Sequence, residues 1–337
     1  MLRPPRIPGC KFFRGQEAKI TTVTNTMNVT VILCTFNRCQ LLARALDSLA
    51  LSVLPDAVDW EVLVIDNNST DRTQAVVHDF SSRFPGRFRY MFEPQPGKSF
   101  ALNTGIRESR GNVLAFLDDD VTVEPTWLQN LTAPLCREDC AGVAGRILPE
   151  KSFSPPGWIP LGDRDALAPL AIFNPDREAG PLNTSPYGAN MAFQKRVFEK
   201  YGAFRTDLGP LPGSGNPQKN EDSEFGQRLL AAGEMLRYEP SAVVYHAMPP
   251  HRVRKKYFLA WWFDKARADI QTNGIPVDAR WFVAGVPLYL FRRLAVWTLR
   301  WLVAVEPTKR FSCKLRAWSC AGQILECHRQ SRKIKKS

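Results

Sequence analysis

Val113-Leu-Ala-Phe-Leu-Asp-Asp-Asp120 sets five apolar residues directly before three carboxylates. An unbroken apolar run of this length predicts a strand buried on both faces, as inside a parallel sheet. Open α/β sheets bind ligands beyond the carboxyl ends of their strands, and the three aspartates fall there. On extended backbone Asp118 and Asp120 point to one side and Asp119 to the other. Carboxylates this close repel one another unless a cation joins them, and oxygen ligands suit Mg²⁺ or Mn²⁺ together with a diphosphate. The competing reading is a solvated acidic turn.

Working outward, strand and helix patterns alternate. Residues 29–35 are rich in β-formers, and Leu41, Leu42, Ala45, Leu46 and Leu49 then recur at helical spacing. Residues 60–65 predict a second strand, closed by the turn chemistry of Asp66-Asn-Asn-Ser69, with Ser69 or Asp71 as cap of the next helix. A strand is expected over 87–92 and a helix over 99–108, separated by Pro96-Gly97. After the central run come a long aperiodic loop over 152–186, a strand over 187–194 and a helix over 195–201. A turn-rich stretch over 209–217 is expected to order as a lid, ahead of a helix over 220–232 and a strand over 235–245. The fold class is α/β: a mostly parallel sheet flanked by helices.

The formal charge of +12 is unevenly spread. Residues 251–337 hold 19 Lys and Arg against 5 Asp and Glu, whereas the first 250 residues are close to neutral. The chain therefore divides into 1–26, a disordered extension without the apolar run of a secretory leader; 27–250, the α/β domain; and 251–337, a basic helical appendage. Met1 and Met27 both remain open as starts. The eight cysteines form no Cys-x-x-Cys pair, which argues against a zinc site and a disulfide framework and fits a reducing cytosol. Gly97-Lys-Ser99 lacks the earlier glycine of a P-loop, since position 92 is Phe, and no Gly-x-Gly-x-x-Gly follows the first strand.

Five blocks now stand in order: Ile32-Leu-Cys-Thr-Phe-Asn-Arg38, Val64-Ile-Asp-Asn-Asn-Ser-Thr-Asp71, Gly97-Lys-Ser-Phe-Ala-Leu-Asn-Thr-Gly105, Phe116-Leu-Asp-Asp-Asp120 and Asn220-Glu-Asp-Ser-Glu-Phe-Gly-Gln-Arg-Leu229. Together they resemble the successive signatures of family 2 glycosyltransferases with the GT-A fold, over about residues 29–250. The resemblance implies inverting transfer of a sugar from a nucleotide-diphosphate donor, UDP-linked, to a hydroxyl acceptor. It implies that Thr35, Asn37 and Arg38 border the nucleotide, that Asp66 bonds the base with Lys98 beside it, and that Asn103 and Asp119 belong to the donor site. Asp118 would touch the ribose or the metal shell, and Asp120 would ligate Mn²⁺ or Mg²⁺. His246 would complete the metal shell, with His251 its competitor. Asp222 would be the catalytic base, and Glu221 would shape the acceptor site.

The residue types can supply that chemistry. A cation on Asp120 stabilises the charge that a nucleoside diphosphate gains as it leaves. A carboxylate on a separate segment, Asp222, is free to take the proton of the incoming hydroxyl. Plainer readings stand beside these: residues 220–222 cap a helix and oppose its dipole, Asp66 closes an Asx-type turn, Arg38 is a solvated loop charge, and His246 is structural. Trp158 stacks on an acceptor sugar or anchors a loop, and Gly188 serves the acceptor side or packing. Two rival functions are a metal-dependent nucleotidyltransferase, which would carry a glycine-rich loop where Thr35-Phe-Asn-Arg38 has none, and a non-catalytic membrane-binding module.

In the basic appendage the longest charge-free run, residues 281–291, is too short to span a bilayer. Leu290, Leu294, Trp297, Trp301 and Val305 make one helical stripe, predicted to lie in the membrane interface, with Lys255, Lys256, Lys309, Arg310, Lys333, Lys335 and Lys336 drawn to anionic lipid. Packing of that stripe on the catalytic domain is the alternative. The expected partners are a nucleotide-sugar donor, a glycan or lipid-linked acceptor of surface polysaccharide or glycolipid synthesis, and an anionic membrane surface rather than nucleic acid. The expected place is the cytoplasmic face of the cell membrane.

Overall fold

The computed structural model describes residues 27–334 except 56–57, 137–139, 160–164, 176, 212–218 and 277–278. The extension over 1–26, Lys335, Lys336 and most of the turn-rich stretch over 209–217 therefore lie outside the described residues.

The first half alternates as its apolar periods require: β1 (Met27–Thr35), α1 (Cys39–Ala50), β2 (Val58–Asp66), α2 (Thr73–Arg83), β3 (Phe88–Phe92), α3 (Lys98–Glu108) and β4 (Val113–Asp118). These four strands lie parallel in the order β3-β2-β1-β4. Then follow β5 (Val121–Val123), α4 (Trp127–Cys136), β6 (Gly142–Pro149), a 3₁₀ turn (Asp165–Leu170), β7 (Gly180–Pro181), β8 (Asn190–Gln194), α5 (Arg196–Tyr201), α6 (Glu221–Ala231) and β9 (Leu236–His246). The same sheet continues β4-β8-β6-β9-β5 with β7 on β9, and only the short ladders of β8, β5 and β7 are antiparallel. The sheet is thus mostly parallel.

Both faces are covered, which is why β1, β2 and β4 read as continuous apolar runs. On one face Val31, Leu33, Val62 and Val64 pack with Leu42, Leu46 and Leu49 of α1 and Trp127, Leu128 and Leu131 of α4. On the other Ile32, Leu63, Leu114 and Phe116 pack with Leu102 of α3, Phe198 of α5 and Phe225 of α6. Each fully buried leucine contributes roughly 1.5–3 kcal/mol. Phe225 stacks on Phe198 at 4.7 Å and meets Phe193 edge-on at 5.2 Å, so α6 is seated on the sheet by aromatic packing.

The cap of α2 differs in part from expectation. Helix geometry begins at Thr73 behind Arg72. Asp71 accepts from the Thr73 N–H at 3.0 Å and also from the Cys39 N–H at 2.9 Å, while Ser69 accepts from the Asn37 N–H. Asp71 thus holds the first N–H of α2, while Ser69 does not, and both side chains also tie the β1 and β2 loops together. No disulfide joins the described cysteines.

Residues 251–337 continue as α7 (Lys255–Asn273), a hairpin of β10 (Phe282–Val283) and β11 (Val286–Pro287), α8 (Leu288–Val303) and α9 (Pro307–Ile334). Phe258 of α7 and Phe311 and Leu315 of α9 share a cluster with Ile159, Leu170 and Met248. The appendage is therefore packed against the sheet-bearing part. The tail stripe requires a correction. Leu290 is buried beside Cys327 of α9, and Trp301 meets Trp318 of α9 edge-on at 6.2 Å. The stripe is the packing face of α8, and Val305, beyond the helix end, is almost fully exposed.

Candidate active site

Strand register builds the site. Thr35 is level with Asp66, and Cys34 with Asp118, so β1, β2 and β4 end at one edge of the sheet. β5 then pairs Val121 with His246, and the Ala247 N–H donates to the Asp120 carbonyl at 2.8 Å. That short ladder sets the third aspartate against the end of β9. A cavity of about 590 Å³ opens there, bordered by Thr35, Arg38, Lys98, Asp118, Asp119, Asp120 and Arg252.

Each aspartate has its own partner. Asp118 accepts from Lys98 Nζ at 2.7 Å. Asp119, buried, accepts from the Thr35 hydroxyl at 2.8 Å and from Arg38 Nη1 at 2.9 Å. Asp120, also buried, faces Arg38 at 3.3 Å, Arg252 Nη2 at 2.9 Å and His246 Nε2 at 3.3 Å. Burial pushes the Asp119 carboxyl up to about 6 against the opposing pull of Arg38. Burial would raise Asp118 as well, yet Lys98 holds it below the usual carboxylate range. Burial, against the pull of Asp120, lowers the His246 imidazole below its ordinary value and favours the neutral form. Its Nδ1–H donates to the Ala247 carbonyl at 3.0 Å, which leaves Nε2 as the lone pair facing Asp120 and Arg252.

Lys98 joins this edge to α6. Its Nζ lies 3.4 Å from Glu221 Oε1, in the first turn of that helix. Asp222, next along, accepts from the Gly188 N–H at 2.8 Å and from the Ser223 N–H at 2.7 Å. Gly188 has no room to spare, since a Cβ there would meet Asp222 Oδ2 at 3.3 Å and Lys98 Nζ at 3.5 Å. The β4–β8 register, Leu117 opposite Asn190, carries Gly188 to this place. Asn220, ahead of the helix, sits at φ 75° and donates to Asp269 of α7 at 3.0 Å.

Glu221 is buried, and burial with the nearby Asp222 charge raises its carboxyl to about 7 in spite of Lys98. The folded protein therefore holds a proton that the unfolded chain has released above the ordinary glutamate value of 4.5. This contribution to stability is full below pH 4.5 and is lost as pH rises through about 7. The thermal midpoint is expected to fall across that window, and Glu221→Gln to remove a part worth about 1–3 kcal/mol. Melting curves of both proteins from pH 4.5 to 8 check this; parallel curves would refute it.

The other expected site residues lie as follows. Asn37 accepts from the Thr70 N–H at 2.7 Å, and Asp66 is occupied by the Ser69 N–H at 2.9 Å and the Tyr90 hydroxyl at 3.0 Å. Asn103 clasps both backbone groups of Phe204, at 2.8 and 3.0 Å. These three brace loops, and none of them borders the cavity. Trp158 packs edge-on against Phe258 and Phe311, with ring centroids 5.1 and 5.0 Å away. His251 lies beside Tyr257. The sequence reading passed over Asn67, which borders the cavity while accepting from the Gly97 N–H at 2.8 Å, and Arg252, the nearest cation to Asp120.

Among the described residues no three His, Cys, Asp or Glu side chains converge as a metal cage. Asp120 and His246 form a convergent pair, with Asp118 turned to Lys98. A pair suits a cation that completes its shell with water and substrate phosphates, as Mg²⁺ and Mn²⁺ do.

A family model described as Glycosyl transferase family 2 matches residues 30–202. The chain is 34% identical over 266 residues to the glycosyltransferase AglE of Haloferax volcanii, covering 76% of this chain and 80% of that protein. It is 28% identical over 250 residues to the succinoglycan biosynthesis protein ExoM of Rhizobium meliloti, covering 74% and 75%. Its fold is similar to that of the mannosyltransferase PcManGT from Pyrobaculum calidifontis, solved with GDP-Man and Mn²⁺, at TM-score 0.59 and 19% identity over 88% of this chain and 86% of that one. GalNAc-T7, solved with UDP, GalNAc and Mn²⁺, is similar at TM-score 0.55 and 15% identity over 86% and 55%. The sheet order, the acidic strand ends and a family match running from β1 through α5 converge on one conclusion: the chain is a glycosyltransferase of the GT-A fold and belongs to glycosyl transferase family 2.

Proposed function

We propose that this glycosyltransferase moves a sugar from a UDP-linked donor to a hydroxyl of a glycan or lipid-linked acceptor, with inversion, in surface polysaccharide or glycolipid synthesis. The observation that carries the reading is the Lys98 bridge. It holds the Asp118 end of β4 and the Glu221–Asp222 turn of α6 on two sides of one cationic group. Donor and acceptor chemistry then meet across a short gap.

In this reading Arg38, Lys98 and Arg252 face the diphosphate, and Thr35, Asp118 and Asp119 shape the nucleotide end of the cavity. Asp120 and His246 would hold Mn²⁺ or Mg²⁺, which would supply Lewis-acid stabilisation to the leaving diphosphate. Asp222 takes the acceptor proton. The Gly188 N–H fixes its orientation, and a single base without a protein nucleophile gives inversion. A second cavity, about 790 Å³, borders the far side of this turn with Tyr187, Ser223, Gln227 and Lys265, and is the proposed acceptor side. The similarity to the succinoglycan biosynthesis protein ExoM supports a polysaccharide acceptor. Among the described residues no helix is long and apolar enough to cross a membrane. The proposed place of action is the inner membrane surface, reached peripherally, with residues 27–250 as catalytic domain and 251–337 as appendage.

Slow donor hydrolysis tests the reading. With Mn²⁺, a panel of UDP- and GDP-sugars is expected to yield free UDP above an EDTA control. Release from GDP-sugars alone would overturn the uracil assignment. Absence of any metal-dependent release or thermal shift across the panel would overturn the donor class.

A further inference from the structure

Helix α8 is apolar on two opposite faces. Leu290, Leu294, Trp297 and Trp301 take the packing side. Across from them Leu288, Phe291, Ala295, Leu299 and Leu302 recur at steps of three and four and lie exposed, with Val303 alongside. Leu299, Leu302 and Val303 keep 62%, 61% and 67% of their surface open. A contiguous open apolar face marks an interaction site. The hairpin before it behaves alike: Trp281 is 74% exposed, with Phe282 and Val283 also open. The Leu288 N–H donates to the Trp281 carbonyl at 2.9 Å, so hairpin and helix form one surface feature.

Charge identifies the occupant. Between residues 280 and 318 the acids number one, Glu306, and it is paired with Lys309 at 2.8 Å. Arg292 borders the apolar stripe, while Arg293 and Arg300 flank the packing side, Arg300 lying over Trp297. Two copies packed through this face would bring Arg292 of each into a shared dry contact with no acid to answer it. An anionic lipid surface offers both an apolar layer and negative headgroups. The aromatic and basic side chains at the α8–α9 seam fit a headgroup environment too, with Arg300 over Trp297 at 4.9 Å and Lys314 over Trp301 at 4.8 Å. The 16 residues of α8 reach about 24 Å, short of a bilayer core of roughly 30 Å. The helix therefore lies along the surface.

We propose that the outer face of α8, together with the β10–β11 hairpin, is a docking surface for an anionic phospholipid bilayer. This rests on the peripheral reading given above and assigns it a face, the one opposite to the stripe that periodicity singles out.

The test is flotation of the full chain with phosphatidylcholine vesicles, with and without phosphatidylglycerol, at low and high salt. The wild-type chain is expected to float with the anionic vesicles, and less so at high salt. The double variant Leu299→Glu, Leu302→Glu is expected to bind at least about tenfold more weakly. Both positions are open, so its melting temperature and its metal-dependent UDP release should match the wild type. Equal flotation of the variant would overturn this face even if membrane binding stands. A wild-type chain that ignores every vesicle, or pairs with itself by light scattering through the same leucines, would overturn the lipid assignment. Failure of UDP release in both proteins would strike the donor reading alone and leave the flotation result intact.

Discussion

Asp222→Asn is expected to bind UDP-sugar and metal as the wild type does while losing about 10²–10⁴-fold in turnover. The amide keeps the shape of the carboxylate. Its oxygen can still accept the Gly188 N–H at the distance now seen, 2.8 Å. The NH₂ gives up the 2.7 Å bond from the Ser223 N–H, a local cost at the start of α6 that the aromatic seating of the helix tolerates. What disappears is proton affinity at the one carboxylate that is not committed to a cation. Glu221 cannot substitute: its side chain is buried against Lys98. Steady-state transfer together with a donor-induced thermal shift separates the two effects. A variant with unimpaired turnover would shift the base to Glu221, and one that no longer binds donor would make Asp222 a structural residue.

Asp120→Asn should be equally damaging for a different reason. Its carboxylate answers Arg38 and Arg252 at once and faces the His246 Nε2. Neutralising it leaves two guanidinium groups facing each other across the cavity and removes the anionic half of the Asp120–His246 pair. Turnover is expected to fall by about 10²-fold or more, the loss of several kcal/mol of charge stabilisation. Mn²⁺ should no longer raise the melting temperature in the presence of UDP. The two arginines should still allow weak UDP binding without metal, which calorimetry can read. A variant that keeps its metal response would place the cation elsewhere.

The strands and the acidic edge were legible because burial on both faces leaves a continuous apolar run with a sharp polar end, as in residues 113–120. The blocks around Thr35, Lys98, Asp118 and Asp222 were legible for the same reason: each follows a strand or opens a helix. The division of labour inside those blocks was not. Asn37, Asp66 and Asn103 carry the right chemical types, yet each spends its hydrogen bonds on neighbouring loops. Nothing local distinguishes a polar side chain that braces a loop from one that faces a ligand. Arg252 is one of four basic residues within 252–256, and only the β5–β9 ladder, a long-range pairing, brings this one to Asp120. Helix α8 shows the limit of periodicity. With apolar residues on both sides, its spacing fits either face, and the aromatic partners on α9 decide which one turns inward.

The level ends of β1, β2 and β4 have a consequence for how such a chain can change. The β1, β2 and β4 ladders stop where the candidate site begins, and only the short β5–β9 ladder reaches into it. Substitutions beyond that line leave the parallel ladders intact, so new sugar preferences can arise in these loops wherever the side chains that brace them are kept.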